Sequence, residues 1–327
     1  MIKEITIPRS NHSTPSVIYI GQALSLLPQL VGTRRAIVIT EQNIVDLWGT
    51  SVEKYEKIVV RGGEKNKNIG TYQYYHYIVR QLLSLGADRH TVLIGLGGGI
   101  ITDITGFVAS TYMRGVDFGF VATTLLSQVD ASVGGKNGVN LEGYKNILGT
   151  FNQPSWVICD STVLSTLPLR ELRAGYAEAL KCGLLADKEL FEMFEKGDFQ
   201  VEKIVEHSVN IKAAIVARDE QESGLRKQLN LGHTFAHAIE KCSVGAYLHG
   251  EAVAIGLVMA AQKSMGQGLL SAEDYQRIYN TLKRLGLPTE CPELSTEELY
   301  KVMQSDKKNQ DGQIAFVLLG GIGELKI

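Results

Sequence analysis

The sequence predicts an α/β N-terminal Rossmann-like domain with a mostly parallel sheet, followed by a mainly α-helical C-terminal domain. Three observations carry that prediction. Up to about residue 160, short apolar β-rich runs alternate with helical segments, the pattern of strands joined by crossover helices. From Leu167 onward the β signal nearly vanishes until the last residues. Within the first region, the apolar run Thr91-Val-Leu-Ile-Gly-Leu96 ends in Gly97-Gly-Gly99, a buried strand feeding a tight turn. The predicted domains are 1–162 and 163–327.

In chain order, Ile5-Thr-Ile7 and Ser16-Val-Ile-Tyr-Ile20 read as short strands, and 23–30 as a helix ending near Gly32. Ala36-Ile-Val-Ile-Thr40 is a second buried strand, 43–48 a short helix and 55–60 another strand. Gly62-Gly-Glu-Lys-Asn-Lys-Asn68 is a polar turn, followed by a long amphipathic helix over 69–85. After the Thr91 strand, 100–112 has helical spacing of apolar residues. Strand, glycine turn and helix N-terminus together offer backbone N–H groups to a pyrophosphate with no Cβ in the way. The usual G-x-G-x-x-G fingerprint fails, because Ile100 stands where the third glycine belongs. A second glycine-rich loop, Gly134-Gly-Lys-Asn-Gly138, carries a lysine suited to an anion, with Asp130, Lys145 and Asn146 nearby. Residues 117–123 resume the β pattern, and Trp156-Val-Ile-Cys-Asp160 closes the first domain, with Pro154 excluding helix just before it.

The C-terminal half reads as helices over 168–196, 201–218 and 227–240, then over 273–285 and 296–303. Glu178 and Lys181 lie three apart and share a face, and Lys212 sits on the second helix. In KQLNLGHTFAHAIE, Asn230, His233, Thr234 and His237 form a polar stripe on an otherwise apolar helix, which is costly unless something satisfies it. His233 and His237 have the spacing of H-E-x-x-H, but Thr234 stands where the general-base glutamate belongs, which disfavours a metalloprotease. His249 opens a small-residue helix. Three of the seven histidines thus fall between 233 and 249, with Glu178 available from another helix. Zinc held by histidine and carboxylate with one open position is a catalytic arrangement, so the C-terminal domain reads as metal-binding. The chain ends in a predicted β pair, 313–319 and 323–327, preceded by Asp306-Lys-Lys308.

Composition excludes other classes. A net charge of −2 leaves no electrostatic footprint for nucleic acid or an anionic membrane. No membrane span or signal peptide is evident, and the four cysteines are scattered without a C-x-x-C pair. The expectation is a cytoplasmic enzyme with reduced thiols.

Gly97-Gly-Gly-Ile-Ile-Thr-Asp103, Arg114-Gly-Val116, Thr123-Thr-Leu-Leu126, Gln128-Val-Asp130 and Gly134-Gly-Lys-Asn-Gly-Val-Asn140 resemble 3-dehydroquinate synthase. So do Glu171-Leu-Arg-Ala-Gly175, Ala177-Glu-Ala-Leu-Lys181, Gly224-Leu-Arg226, Asn230-Leu-Gly-His-Thr-Phe-Ala-His237 and His249-Gly-Glu-Ala-Val253, in the same order across both domains. The resemblance implies a metal, Zn²⁺ or Co²⁺, on Glu178, His233 and His249, which makes His237 a substrate-facing residue. It implies NAD on Glu64, Lys67, Gly98, Gly99, Ile100, Asp103, Thr123, Thr124, Lys136, Lys145 and Thr166. Asp130, Lys136, Asn146, Lys181, Lys212, Arg226, Asn230 and one of Lys307 and Lys308 fall on substrate positions. Arg114 matches an arginine supplied across a homodimer interface. The implied reaction turns 3-deoxy-D-arabino-heptulosonate 7-phosphate into 3-dehydroquinate and phosphate, as in aromatic amino acid biosynthesis. It proceeds through transient NAD-dependent oxidation, phosphate elimination, re-reduction and aldol closure. Thr102 and Asn137 depart from the family's usual glycine and threonine. The rival is a metal-dependent NAD alcohol or polyol dehydrogenase, which would not need the cationic set Lys136, Arg114 and Lys181.

Overall fold

The computed structural model describes residues 1–10, 12–69, 74–142, 144–304 and 314–325. They form two compact units, Met1–Leu167 and Pro168–Ile327. The division falls just after a 3₁₀ turn, Ser161–Thr166, whose first N–H groups are capped by Asp160: Thr162 N–H donates to Oδ1 at 2.8 Å.

The first unit is built on one seven-stranded sheet. Its strands are β1 (Lys3–Ile7), β2 (Ser16–Ile20), β3 (Ala36–Glu41), β4 (Glu56–Val60), β5 (Val92–Gly97), β6 (Phe118–Ala122) and β9 (Trp156–Cys159). They lie in the order β1-β2-β9-β6-β5-β3-β4. Every pairing is parallel except β1 with β2. The central strands β5, β6 and β9 are buried throughout, which is why their sequences are continuous apolar runs with no polar alternation. Val38, Ile94, Leu96, Val121 and Ile158 share a core with Leu27 and Val31 of helix α1 (Leu27–Val31). Helix α2 (Gln42–Trp48) packs on β3, α3 (Tyr75–Ser84) on β4, and α4 (Gly99–Thr111) on β5 and β6.

Two local expectations fail in this unit. The helix predicted over 69–85 begins only at Tyr75; Ile69 lies outside it, and 70–73 are outside the described residues. Instead the chain at Lys67 to Ile69 is stitched to Asn140, whose N–H donates to Lys67 O at 2.8 Å and whose carbonyl accepts from Ile69 N–H at 2.9 Å. The glycine-rich stretch after Gly134 is also more than a loop. It forms an antiparallel hairpin of β7 (Lys136–Leu141) and β8 (Tyr144–Phe151), with a bulge between Val139 and Leu141. Glycine density hid the strands, since glycine is depleted in β structure.

The second unit is helical: α5 (Leu169–Ala186), α6 (Lys188–Lys196), α7 (Val201–Arg218), α8 (His233–Ser243), α9 (His249–Gly266), α10 (Ala272–Arg284) and α11 (Thr296–Gln304). The single helix predicted over 168–196 is two, because Asp187 leaves helical geometry (φ −145°, ψ 92°) and accepts from Leu190 N–H to cap α6. The helix predicted over 227–240 also breaks. Leu225–Asn230 is a 3₁₀ turn, and Gly232 at φ 75° redirects the chain before α8 starts. Asn230 therefore does not share a helix face with His233 and His237. The predicted terminal β pair is not formed within 314–319 or 323–325 (residues 313, 326 and 327 lie outside the described ones). Backbone bonds to helices hold that segment: Leu319 N–H to Ser264 Oγ at 3.0 Å, and Gly323 and Leu325 N–H to the carbonyls of Leu184 and Leu185. No helix among the described residues is long and apolar enough to cross a membrane.

Candidate active site

In the first unit the glycine turn sits at the carboxyl end of β5, where open parallel sheets take their ligands. Gly98 caps α4 without a side-chain bond, and Gly99 and Ile100 open the helix, so its first N–H groups face outward from the turn. A Cβ on Gly98 would stand 2.9 Å from Thr124 Cγ2, so only glycine fits between the turn and the chain after β6. Thr123 N–H donates to Gly97 O at 2.9 Å, while its buried Oγ1 has no partner among the described residues. An orphaned buried hydroxyl is costly unless a ligand satisfies it. Thr124 Oγ1 accepts from Ser127 N–H at 3.1 Å and starts the turn that carries Asp130.

Around this turn a polar chain runs through Asn140 and joins residues that the family resemblance assigns to two different ligands. Glu64 Oε1 accepts from Asn140 Nδ2 at 2.7 Å, and Asn140 Oδ1 accepts from Asn146 N–H at 2.8 Å. Asn146 Oδ1 accepts from Lys67 Nζ at 2.6 Å, and the same ammonium pairs with Asp103. Lys67 is 3% exposed. Burial pushes the Asp103 carboxyl above its usual range, with Lys67 pulling the other way. Asn140 is the link that sequence reasoning missed. It stands in the quoted motif, but nothing in its spacing marked it as the joint between loop and hairpin.

The remaining predicted residues of this unit are placed less tightly. Lys136 opens β7 and Lys145 lies on β8, both exposed. Thr166 is drawn to α2, where its hydroxyl accepts from Trp48 Nε1 at 3.2 Å. Arg114 is exposed at a turn where Met113, Arg114 and Gly115 all have positive φ (48°, 67° and 116°). The two departures from the family pattern are both satisfied internally. Thr102 Oγ1 donates to Gly99 O within α4, and Asn137 Nδ2 donates to the carbonyls of Gly135 and Asn152 while its amide fills the space over Gly106.

In the second unit, α5, α8 and α9 bring three side chains together. Glu178 Oε1 lies 3.3 Å from His233 Nε2 and 3.1 Å from His249 Nε2. All three ligand atoms lie within 4.8 Å of one another. Donors at about 2.1 Å from a tetrahedral ion stand roughly 3.4 Å apart, so the spacing suits one metal. The donor set, one carboxylate and two imidazoles, is that of an open catalytic zinc site. Lys181 Nζ lies 2.5 Å from Glu178 Oε2, with both side chains essentially buried. Burial alone would raise the Glu178 carboxyl, but Lys181, His233 and His249 together hold it well below its usual range. His233 is pushed down by burial, against the pull of Glu178. His237 stands beside the group, its ring centroid 5.5 Å from His233 and 6.4 Å from His249.

Lys212 is buried on α7, and Arg226 is 2% exposed on the Leu225–Asn230 turn. That turn is organised by Asp219, which accepts N–H bonds from Ser223, Gly224 and Arg226 at 2.8, 2.8 and 2.9 Å. Those N–H groups, Arg226 and Gly224 foremost, hold its carboxyl well below the usual range. Asn230 Nδ2 donates to Glu222 Oε1 at 2.8 Å. Lys307 and Lys308 lie outside the described residues.

A parallel sheet with this glycine turn, followed by a helical unit with this triad, has close counterparts among solved structures. A 2-epi-5-epi-valiolone synthase from Streptomyces hygroscopicus subsp. jinggangensis, solved with NAD⁺ and Zn²⁺, superposes with a TM-score of 0.87 at 30% identity, over 96% of this chain and 92% of that one. A 2-deoxy-scyllo-inosose synthase, solved with carbaglucose-6-phosphate, NAD⁺ and Co²⁺, gives 0.87 at 24% identity over 99% and 94%, a likeness of fold. The architecture is that of the sugar phosphate cyclases. The N-terminal model of 3-dehydroquinate synthase matches residues 57–174 and the C-terminal model residues 175–309. The 3-dehydroquinate synthase of Campylobacter hominis is 45% identical over 301 residues, 89% of this chain and 87% of that protein. The chain belongs to the 3-dehydroquinate synthase family.

Proposed function

We propose that this chain makes 3-dehydroquinate and phosphate from 3-deoxy-D-arabino-heptulosonate 7-phosphate, with NAD bound at the first unit and a divalent metal, Zn²⁺ or Co²⁺, at the second. The observation that carries the reading is the Glu178–His233–His249 triad, its carboxylate buried and with Lys181 against it, on a chain of this family. When bound, the metal supplies Lewis acidity to a substrate oxygen and NAD supplies a reversible hydride acceptor.

The chain's own residues do the rest. The α4 N-terminus and Gly98 turn would take the pyrophosphate, and the unpaired Thr123 hydroxyl a further ligand oxygen. Lys67, Asp103 and Asn146 are held by one another before any ligand arrives, so little reorganisation remains for binding. Glu178, His233 and His249 would hold the metal, with Lys181 balancing the charge of Glu178 until it does. His237, beside the triad and outside it, would move a proton. Lys136, Asn146, Lys181, Lys212, Arg226 and Asn230, with Asp130, would position the carboxylate, hydroxyls and phosphate of the substrate. Arg114, exposed on its left-handed turn, would serve a second copy of the chain in a cytoplasmic homodimer. The exposed apolar side chains of β8 (Tyr144, Ile147 and Phe151) support an interface on this unit.

The test follows phosphate release and NADH absorbance together, in purified protein given NAD⁺, Zn²⁺ and the heptulosonate phosphate. Phosphate without net NADH is the expected result, because the hydride returns to the product. NADH accumulating without phosphate would move the chain to the polyol dehydrogenases, and neither signal would reject the assignment.

A further inference from the structure

The two imidazoles of the triad are oriented by different partners. Each offers Nε2 to the centre, so its Nδ1 must be held from behind. His233 Nδ1 faces Leu231 O at 3.2 Å, a carbonyl aimed by the left-handed Gly232. His249 Nδ1 faces Glu240 Oε1 at 3.3 Å, and the Glu240 side chain is 7% exposed. Glu240 lies seven residues after His233 on α8, two turns on, and so shares its face. One helix therefore supplies both a ligand and the group behind the ligand on α9. The spacing of the two helices leaves little slack, since a Cβ on Gly256 of α9 would stand 2.2 Å from Gly232 O.

We infer that Glu240 is a positioning residue for the metal centre: its carboxylate accepts the Nδ1 proton of His249 and so commits Nε2 to the ion. The inference rests on the metal reading above and adds a residue to which neither the motifs nor the comparisons give a role. A carboxylate behind a metal-bound imidazole fixes the tautomer and ring orientation and raises the basicity of the ligand nitrogen. His233, backed by a neutral carbonyl, lacks the charge. The pair thus predicts an asymmetric centre in which the hold of His249 depends on a side chain that can be removed.

The experiment measures Zn²⁺ affinity of the full chain by chelator competition in wild type, Glu240→Gln and Glu240→Ala, with melting of the metal-free proteins alongside. Affinity should fall by about 10- to 100-fold in Glu240→Ala. Glu240→Gln, which keeps an acceptor oxygen and loses the charge, should fall less, and the visible spectrum of the Co²⁺ form should change in both. Melting of the metal-free protein should move little in Glu240→Gln. Wild-type affinity and an unchanged Co²⁺ spectrum in Glu240→Gln and Glu240→Ala would overturn the assignment. If Glu240→Ala does not fold, the near-isosteric Glu240→Gln alone decides. A wild-type chain that binds neither Zn²⁺ nor Co²⁺ would remove the metal reading itself, a failure visible before any variant is compared.

Discussion

Each unit buries a carboxylate against a lysine, and the outcomes are opposite. In the first, Asp103 pairs with Lys67 alone, and burial wins: its carboxyl is raised. In the second, Glu178 is more deeply buried yet is held low, because Lys181, His233 and His249 surround it. The difference lies in the number of cationic and N–H partners per carboxylate, since the desolvation term opposes ionisation at both. A carboxylate held low with three donors around it is poised to exchange them for one cation. A carboxyl raised beside a single lysine is better suited to hydrogen-bonding a neutral group.

The largest way to break this comparison is Glu178→Gln. It removes the only carboxylate of the triad while keeping its shape, so metal content should drop to background. Turnover should fall by more than the roughly 100-fold typical of losing a supporting residue. Metal analysis alongside the phosphate assay checks both, and a variant that keeps its metal would show that Glu178 is a structural ion-pair partner.

Next in size is Lys67→Met in the first unit. It strips Asp103 of its cation and Asn146 of its donor. Breaking a buried pair from one side costs about 3 kcal/mol, read as a lower urea midpoint. An unchanged midpoint would mean that Asp103 simply protonates when Lys67 is gone.

Asp219 sharpens the contrast with a third solution. Among the described residues its carboxylate has no lysine or histidine bond and takes N–H and hydroxyl donors from the Ser223–Arg226 turn. Its folded pKa is depressed, so the stability it adds is present above the unfolded value, about 3.9, and is lost as pH falls through the folded one. Asp219→Asn should raise KM several-fold by loosening Arg226. Its stability deficit should shrink below pH 4, and a deficit constant from pH 6 to pH 2 would sink this account.

The same contrast governs what the sequence could reveal. The parallel sheet was legible because β5, β6 and β9 are buried on both faces and carry uninterrupted apolar runs. The residues of the triad were legible as a shortlist, because histidines on an apolar helix demand partners. Choosing His249 over His237 needed the family pattern; spacing alone left both open. What stayed hidden depends on contacts between distant residues. The hairpin β7–β8 looked like loop because its glycines weaken the β signal, and Asn140 is tied to Lys67 and Glu64 more than seventy residues away. Glu240 looked like an ordinary charged helix residue until α9 laid His249 against it. The turn at Gly232, hidden inside an apparently continuous helical pattern, separates Asn230 from the histidines and aims Leu231 O at His233.

The smallest expected effect is the most direct test of why the two carboxylates differ. Asp103 has a raised pKa, so its protonated form favours the fold: that contribution is present below the unfolded value of about 3.9 and is lost as pH rises through the folded value. Asp103→Asn replaces the acid by a neutral amide that still accepts from Lys67. The wild type should therefore lose stability relative to Asp103→Asn as pH rises from about 4, and the difference should level off once Asp103 is ionised. The opposite sign is expected of Glu178, whose low folded pKa makes the ionised form the stable one. If metal-free wild type and Asp103→Asn have parallel stability profiles from pH 4 to pH 7, then Lys67 fully offsets the burial of Asp103. The two units would then treat their carboxylates alike.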